Sequence, residues 1–261
     1  MEYIDKCHQY LIQFMLKNGV SKVQQALQYC RNVTKEEELS ESKLGITINQ
    51  INRVVCNQYF KIVQCKCEVT QEEMLVWVNM KNDTLTKLQV NFSERELEYF
   101  QAILQEIMAS EQRKIMYIVC INITSTLSGN FSRESGQKVL TKWMHGGYFV
   151  KNSDFVHLGP RLILEFNTYL RSHRPDCVCY LCSEISFTGK ICASCDKMFH
   201  SYCIDLYLQS QITCPCCKND WTEIDRFNNI ARDTTQGSNS DSDEYMQEED
   251  INQPGPSRRR R

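Results

Sequence analysis

The chain has 261 residues, of which 42% are hydrophobic and 24% are charged, and its formal net charge is −2. These values are typical of soluble globular proteins, and the length allows two or three domains. The near-neutral charge excludes an overall attraction to nucleic acid or to anionic membranes, although a local basic face stays open. The most apolar run, residues 115–123, is far shorter than the roughly 20 residues that span a bilayer, so we expect no membrane segment.

The first 90 residues predict three helices followed by a β-hairpin. Residues 3–18 carry apolar side chains at helical spacing, and Ser21 with Gln24 forms a capping box that would start a second helix. A third helix covers residues 44–55, and residues 59–69 and 74–80 then alternate as the strands of a hairpin do. We interpret residues 1–90 as a winged-helix domain. Cys65 and Cys67 fall on one face of a strand, where we expect burial rather than metal binding.

Residues 91–173 repeat this pattern and predict a second winged-helix domain. Ser93 and Glu96 form a capping box, residues 115–123 supply a second helix, and a third helix runs from Ser132 to His145. A glycine pair ends that helix, and residues 148–150 and 155–158 then flank a turn. A closing helix follows over residues 161–171, and residues 172–176 form a short linker.

Winged helices often place their third helix in the major groove of DNA. The corresponding helix here contains Arg133, Lys138 and Lys142, but it also contains Glu134 and forms no basic stripe. DNA recognition needs clustered cations on phosphates before bases are read. We therefore expect protein docking rather than direct, sequence-specific DNA binding, and weak non-specific contact with DNA stays open.

The rest of the chain is organised around a cysteine-dense segment, residues 177–221. Eight residues in it form four pairs, and two residues separate the members of each pair, a spacing that suits a tetrahedral zinc ion. The gaps between successive pairs are nine, four and ten residues. The four-residue gap leaves little chain for two consecutive modules, so we predict a cross-brace in which alternate pairs share a metal. The first zinc would take Cys179, Cys182, His200 and Cys203, and the second Cys192, Cys195, Cys214 and Cys217.

Both predicted zinc ions are structural, because four protein ligands leave no position for a reacting water. About 45 residues cannot bury enough apolar surface to fold alone, whereas a structural zinc supplies roughly 10–16 kcal/mol of apparent binding free energy. A disulfide framework would need an oxidising compartment, and we see no secretory signal at the start of the chain. Cys216 is an alternative to Cys217 as a ligand, but Cys217 keeps the common spacing, which leaves Cys177 and Cys216 as spare thiols.

The sequence therefore predicts an α+β multidomain chain, in which tandem winged-helix domains precede a small two-zinc cross-brace domain and a disordered tail. The tail, residues 222–261, is acidic over residues 238–250 and ends in four arginines. Its composition predicts disorder, and the arginine run is consistent with a nuclear import signal or with a generic basic tail.

The order of ligands is shared by RING-type and PHD-type modules. Leu181 and Pro215 occupy positions at which RING domains present an apolar face to a ubiquitin-conjugating enzyme, and residues 204–208 would add helix residues, including Leu208. PHD fingers usually have an aromatic residue where Ile212 stands, and their last gap is usually longer. These features favour the RING-like reading of residues 177–221.

Together with the two preceding units, the chain resembles the Nse-one family, the non-structural maintenance of chromosomes element one subunit of the SMC five–six complex. The resemblance covers about residues 1–221 and is strongest in HLGPRLILEFNTYL, CYLC, CASCDKMFHSYC and CPCCKNDW. It implies a nuclear protein of DNA repair and recombination. The partners would be a MAGE-type subunit, a kleisin-type subunit and a ubiquitin-conjugating enzyme. The implied activity is that of a RING-type ubiquitin ligase, which holds charged ubiquitin in place and forms no covalent intermediate.

In this family resemblance, Lys218 stands where many RING ligases carry a basic residue that steadies ubiquitin. Two alternatives remain open. A structural subunit would bridge the MAGE-type and kleisin-type subunits without ligase output. A PHD-like histone reader would need an aromatic cage, for which the nearby residues are Phe187, Phe199, Tyr202 and Tyr207.

Overall fold

The structure is a computed structural model that describes residues 6–35, 39–81, 92–127 and 129–224. These described residues form one compact unit of mixed α/β structure. The described part contains three antiparallel sheets of three strands, one in each successive section of the chain. Within the same part, no helix combines the length and the apolar character that crossing a membrane requires.

The first α/β section packs three helices against a sheet of strand order β1-β3-β2. Its helices bury residues at helical spacing, such as Cys7, Leu11 and Met15 on α1. The predicted hairpin is confirmed, with Ile62 of β2 opposite Trp77 of β3. The elements are α1 (Lys6–Asn18), β1 (Val20–Lys22), α2 (Val23–Thr34), α3 (Glu41–Val55), β2 (Phe60–Lys66) and β3 (Glu73–Asn79).

The predicted helix start at Ser21 is wrong. Gly19 has a φ of 72°, which turns the chain out of α1, and the next three residues pair with β3 as strand β1. Helix α2 then begins at Val23, with Lys22 at the N-cap and its N–H donating to Gln25 Oε1 at 3.4 Å. Strand pairing therefore overrides the local capping pattern. The predicted start of the first helix, before Lys6, lies outside the described residues.

The second α/β section repeats the order of elements, and its sheet has strand order β4-β6-β5. The predicted capping box of Ser93 and Glu96 is confirmed. Trp143 is fully buried and packs edge-on against Phe100, which also contacts Phe149. The elements are α4 (Glu94–Ala109), β4 (Ile115–Met116), α5 (Tyr117–Ile123), α6 (Arg133–His145), β5 (Phe149–Asn152), β6 (Phe155–Leu158), α7 (Pro160–Glu165) and α8 (Asn167–His173).

Two predicted helices of this section differ in the structure. Residues 115–116 belong to strand β4 rather than to a helix, because they pair with β6. The predicted closing helix is divided at Phe166, whose φ of −103° and ψ of 17° interrupt the helical backbone. At this point the buried carboxylate of Glu165 accepts from the Asn79 N–H at 3.0 Å and from the Tyr148 hydroxyl at 3.2 Å. The closing helix thereby joins the first section to the second.

The predicted linker, residues 172–176, is a fixed connection. Helix α8 continues to His173, and Arg174 donates to Met108 O at 2.6 Å. Asp176 accepts from Arg174 and from buried Arg113, at 2.8 and 3.1 Å. These bonds hold the following residues against the second section, where Cys177 is buried in the same hydrophobic core as Trp143.

The cysteine-dense section is a small sheet of order β8-β7-β9 with one helix. Its last strand pairs with β7 and lies two residues beyond the predicted end of this section at residue 221. The remainder of the predicted tail, from residue 225, lies outside the described residues. The elements are β7 (Lys190–Cys192), β8 (Met198–Phe199), α9 (Ser201–Leu208) and β9 (Glu223–Ile224).

Candidate metal centres

The eight predicted ligands come together in two groups, and in each group the candidate ligand atoms lie within 4.8 Å of one another. The groups interleave along the chain. The first group takes the first and third pairs, and the second group takes the second and fourth pairs. They are the same two sets that the spacing predicts. The first group is Cys179, Cys182, His200 and Cys203, and the second is Cys192, Cys195, Cys214 and Cys217.

Three of the four pairs lie on turns with the same backbone geometry. In each turn, the N–H of the residue after the second cysteine donates to the carbonyl oxygen of the first cysteine, at 2.8–3.1 Å. The donating residues, Ser183, Asp196 and Lys218, have left-handed φ values of 61°, 54° and 64°. The N–H of each first cysteine bonds in turn to the carbonyl five residues ahead. This repeated turn aims two side chains at one point.

The repeated turn distinguishes Cys217 from Cys216. The turn is framed by Cys214 and Cys217, and the Cys217 sulfur lies 3.8 Å from that of Cys192. Cys216 stands inside the turn and donates its backbone N–H to Cys214 Sγ at 3.4 Å. The geometry therefore groups Cys217, not Cys216, with the other candidate ligands.

The imidazole of His200 has two different sides. Its Nδ1 lies 3.2 Å from Cys182 Sγ and 3.9 Å from Cys203 Sγ. Its Nε2 lies 2.9 Å from Ile185 O and 3.2 Å from Glu68 Oε1. Because both partners of Nε2 are acceptors, the proton belongs on Nε2, and Nδ1 is left as a lone-pair donor toward the sulfurs. That tautomer is the one a metal ligand needs.

The local electrostatics favour a cation in each group. Burial raises the pKa of the Cys179 thiol, but hydrogen bonds from His200 and from the backbone outweigh it and lower that pKa to about 6. Burial also raises the pKa of the Cys192 thiol, but hydrogen bonds from the backbone outweigh it and lower that pKa to about 7. Burial and the adjacent sulfurs raise the pKa of Cys195 and of Cys203. A divalent metal would stabilise all of these sulfurs as thiolates.

The predicted contact face lies beside the two groups. Leu181 is 37% exposed, Pro215 and Leu208 are half-buried, and Lys218 is exposed. Tyr180 interacts with the Cys216 sulfur, so the turns that carry Leu181 and Pro215 adjoin, and this thiol raises the pKa of Tyr180. Lys218 Nζ donates to Pro215 O at 3.0 Å, so in this structure its ammonium group folds back on its own turn.

The aromatic residues considered for a histone-binding cage do not share one exposed site. Phe187 is buried in the core of the second section, whereas Phe199 is buried in the cysteine-dense section. Tyr202 stacks on His200, with ring centroids 4.7 Å apart, and Tyr207 is half-buried.

The basic residues of helix α6 form no continuous stripe. Lys138 pairs with Glu134 at 2.7 Å, and Lys142 Nζ lies over the ring of Phe92. Cys65 and Cys67 are half-buried and buried, and neither belongs to a candidate metal group among the described residues.

Sequence reasoning missed Glu68. It lies just after β2, yet its carboxylate reaches the cysteine-dense section, where it meets His200 and the backbone N–H groups of Phe187 and Thr188. More than 115 residues separate Glu68 from these partners in the sequence. The predicted strand 59–69 includes Glu68, whereas β2 ends at Lys66. The sequence contains no local signal for the contact, because a Glu at such a position is normally a solvated side chain.

The fold and the paired clusters define a mixed α/β protein with a Cys/His module suited to two metal ions. This chain is also similar in sequence to known proteins. The family described as Nse1 non-SMC component of SMC5-6 complex matches residues 8–128. A Drosophila melanogaster protein named non-structural maintenance of chromosomes element 1 homolog is 28% identical over 74% of this chain and 84% of its own length. The Homo sapiens protein of the same name is 27% identical over 82% of this chain and 83% of its own.

A chain of the solved structure titled Nse1-Nse3-Nse4 complex has the same fold. Its TM-score is 0.70 at 21% sequence identity, and the match covers 85% of this chain and 98% of that one. Together, the family match and the named relatives confirm the predicted resemblance of this chain to the Nse1 family.

Proposed function

We propose that this chain is the Nse1-type subunit of an SMC5-6 complex and acts there as a RING-type ubiquitin ligase. The observation that carries the proposal is the pair of interleaved Cys/His groups in a chain related to that family. The exposed Leu181 beside these groups supports an apolar contact for a ubiquitin-conjugating enzyme. We also propose the nucleus as its location, and DNA repair and recombination as its process.

The two groups would each hold one zinc ion. Thiolate and imidazole donors in sets of four suit zinc, and the paired turns provide the spacing it requires. Zinc would stabilise the fold of the module and would take no part in chemistry. The module's own hydrophobic cluster is small, which supports a structural need for metal.

Residues 1–90 and 91–173 would be winged-helix domains. Each section has the order helix, strand, helix, helix, strand, strand, with the first strand at the edge beside the last. The pairing of Lys138 with Glu134 on α6 supports protein docking over DNA reading. Exposed apolar side chains such as Leu16, Ile46 and Val54 offer area for such docking.

The proposed mechanism is catalysis by positioning. The module would bind a conjugating enzyme that carries ubiquitin as a thioester, with Leu181, Pro215 and Leu208 at the contact and Lys218 near the bound ubiquitin. Restricting the ubiquitin to conformations in which a substrate lysine can attack raises the rate without any acid, base or nucleophile from this chain. Lys218 would have to release Pro215 O to serve this role.

The proposed partners are a MAGE-type and a kleisin-type subunit. The related solved chain comes from a complex whose title names Nse3 and Nse4 beside Nse1. A second candidate function is that of a structural subunit that bridges these two proteins without ligase output. The connection through Arg113, Arg174 and Asp176 favours it, because it holds the module against the second section.

Lysine discharge from a ubiquitin-loaded conjugating enzyme tests the ligase, with and without the MAGE-type partner. We expect wild type to accelerate discharge and Leu181→Ala and Cys192→Ser to abolish the acceleration. Ile118→Ala is the matched control, since it shortens an exposed apolar side chain in the second section. Equal activity of Leu181→Ala and wild type would reject the contact face. No acceleration by wild type with any conjugating enzyme would favour the bridging subunit.

A further inference from the structure

Glu68 lies in the first section of the chain, but its carboxylate is buried against the cysteine-dense section. Its side chain is 7% exposed. Oε2 accepts from the Phe187 N–H at 2.8 Å, the Thr188 N–H at 2.8 Å and the Thr188 hydroxyl at 2.9 Å. Oε1 lies 3.2 Å from Nε2 of His200, a candidate ligand of the first group. One buried carboxylate thus accepts three hydrogen bonds from the other section and lies beside Nε2 of His200, which also faces Ile185 O at 2.9 Å.

The turn that carries Glu68 is itself well fixed. Cys67 N–H bonds to Glu72 O and Gln71 N–H bonds to Cys67 O, both at 2.9 Å, and Gln71 adopts a left-handed φ of 59°. The same hairpin makes a second contact, since Lys66 Nζ lies 5.4 Å from the ring centroid of Tyr202. Tyr202 in turn stacks on the His200 ring. The first section therefore contacts His200 in two ways. Glu68 lies at the edge of the imidazole ring, and Lys66 lies over Tyr202, which stacks on that ring.

We propose that Glu68 is the outer-sphere carboxylate of the first metal centre, and that metal binding there locks the module onto the hairpin of the first section. The inference rests on the proposed zinc sites. Histidine ligands of metals characteristically donate their second N–H to a carboxylate, which fixes the ring orientation and increases the basicity of the ligating nitrogen. Here the sulfurs of the first group face Nδ1, and Nε2 faces the Glu68 carboxylate at 3.2 Å together with Ile185 O at 2.9 Å.

Metal binding at His200 should change the order of the turn that carries Glu68, and this effect can be measured. Ordering His200 for the metal also orders its partner Glu68, and through Glu68 the turn between β2 and β3. Removing the metal frees the His200 ring, so the carboxylate loses its contact with Nε2 and the hairpin should loosen. Glu68 is thus a positioning residue, which acts on the metal through His200.

The second group has no such contact with Glu68 in the described part of the chain. Its metal affinity can therefore serve as the reference when Glu68 is changed. The first centre would have three sulfur ligands and one nitrogen ligand, and the second four sulfur ligands. Cobalt(II) bound in the two sets gives different visible spectra, so that loss of metal can be assigned to one centre. Glu72→Gln is the matched control, because Glu72 lies on the same turn and pairs with exposed Lys22 instead.

The experiment uses the full-length chain, loaded with zinc or cobalt, in wild type, Glu68→Gln and Glu72→Gln. We expect wild type and Glu72→Gln to hold two metal ions equally well. In Glu68→Gln we expect the affinity of the sulfur–nitrogen centre to fall by about 10–100-fold, the usual effect of removing an outer-sphere partner, while the four-sulfur centre is unchanged. Competition with a chromogenic chelator and the cobalt spectrum provide the two readouts.

A second measurement needs no variant, should Glu68→Gln fail to fold. Hydrogen exchange of wild type, before and after chelation, should show faster exchange at residues 67–72, outside the module, as well as within it. Unchanged exchange there, or loss of metal from both centres alike in Glu68→Gln, would overturn the assignment. A wild-type chain that holds fewer than two metal ions would reject the proposed zinc sites themselves, and this outcome is distinct from failure of the Glu68 role alone.

Discussion

The two Cys/His groups have similar ligands but different surroundings. The first group borders all three sections, since His200 contacts Glu68 and the backbone of Ile185, which is buried in the core of the second section. The second group lies within the module, where its sulfurs neighbour one another and the N–H of Cys216. We therefore expect a metal in the first group to hold the module to the rest of the chain, and a metal in the second group to stabilise the module itself.

Loss of a ligand should have the largest effect, and its extent should differ between the groups. We expect Cys203→Ser and Cys195→Ser each to lose one zinc ion and to unfold much of the module, because roughly 10–16 kcal/mol of binding free energy stabilises such small domains. In Cys203→Ser, faster hydrogen exchange should also reach residues 67–72. An identical exchange pattern in both variants would remove the distinction between the centres.

Two buried phenylalanines allow the packing of the second section and that of the module to be compared. Phe187 is buried in the core of the second section, whereas Phe199 belongs to the cluster of the module. Each change to alanine should cost about 3–5 kcal/mol in the free energy of unfolding. We expect Phe187→Ala to lower the melting temperature of the second section and module together, and Phe199→Ala to release zinc with little effect on the second section. Calorimetry with zinc analysis tests both.

Acid should destabilise the side of the molecule that carries the first group. His157 is buried, with 7% of its surface exposed. Burial and the charge of Lys114 lower its pKa from 6.5 to about 4, although the charge of Glu68 raises it. The unfolded chain therefore takes up a proton first as the pH falls below 6.5, so stability is complete above that value and is lost toward pH 4.

Between pH 7.5 and 5.5 this single group should account for a loss of about 1 kcal/mol. His157→Gln should remove that part of the pH dependence in chemical denaturation at saturating zinc, and the exposed His145→Gln should not. Equal slopes for wild type and His157→Gln would contradict the assignment.

The smallest effects should come from exposed ion pairs near each group. Arg171 pairs with Glu184 at 2.9 Å beside the first group, and Lys190 pairs with Asp205 at 3.0 Å within the module. Because both carboxylates are largely exposed, Glu184→Gln and Asp205→Asn should each change the free energy of unfolding by less than about 1 kcal/mol. A larger shift of the denaturation midpoint would indicate that the pair is part of a buried network.

Residue spacing predicted the grouping of the candidate ligands because short turns leave few choices. Cys179 and Cys182 must converge, as must Cys192 and Cys195, and the four-residue gap before His200 leaves only an interleaved arrangement with reasonable chain lengths. Helix α4 was predicted for a similar reason, since the Ser93–Glu96 capping box is closed by residues three positions apart.

Contacts between distant parts of the chain were not predictable in this way. Ser21 satisfies a capping pattern, yet it lies in a strand because β3, about fifty residues later, offers a pairing edge. Glu68 falls within the predicted strand 59–69 without any feature that marks a contact, and only the folded chain brings it to His200. The apparent linker at residues 172–176 is held against the second section because Arg113, far upstream, donates to Asp176.

The most direct test of the account is the zinc content of the intact chain by native mass spectrometry, in wild type, Cys216→Ser and Cys217→Ser. These two adjacent cysteines differ only in their place in the repeated turn. We expect two zinc ions in wild type and in Cys216→Ser, and one in Cys217→Ser. Loss of an ion from Cys216→Ser but not from Cys217→Ser would contradict it, as would a wild-type chain without zinc.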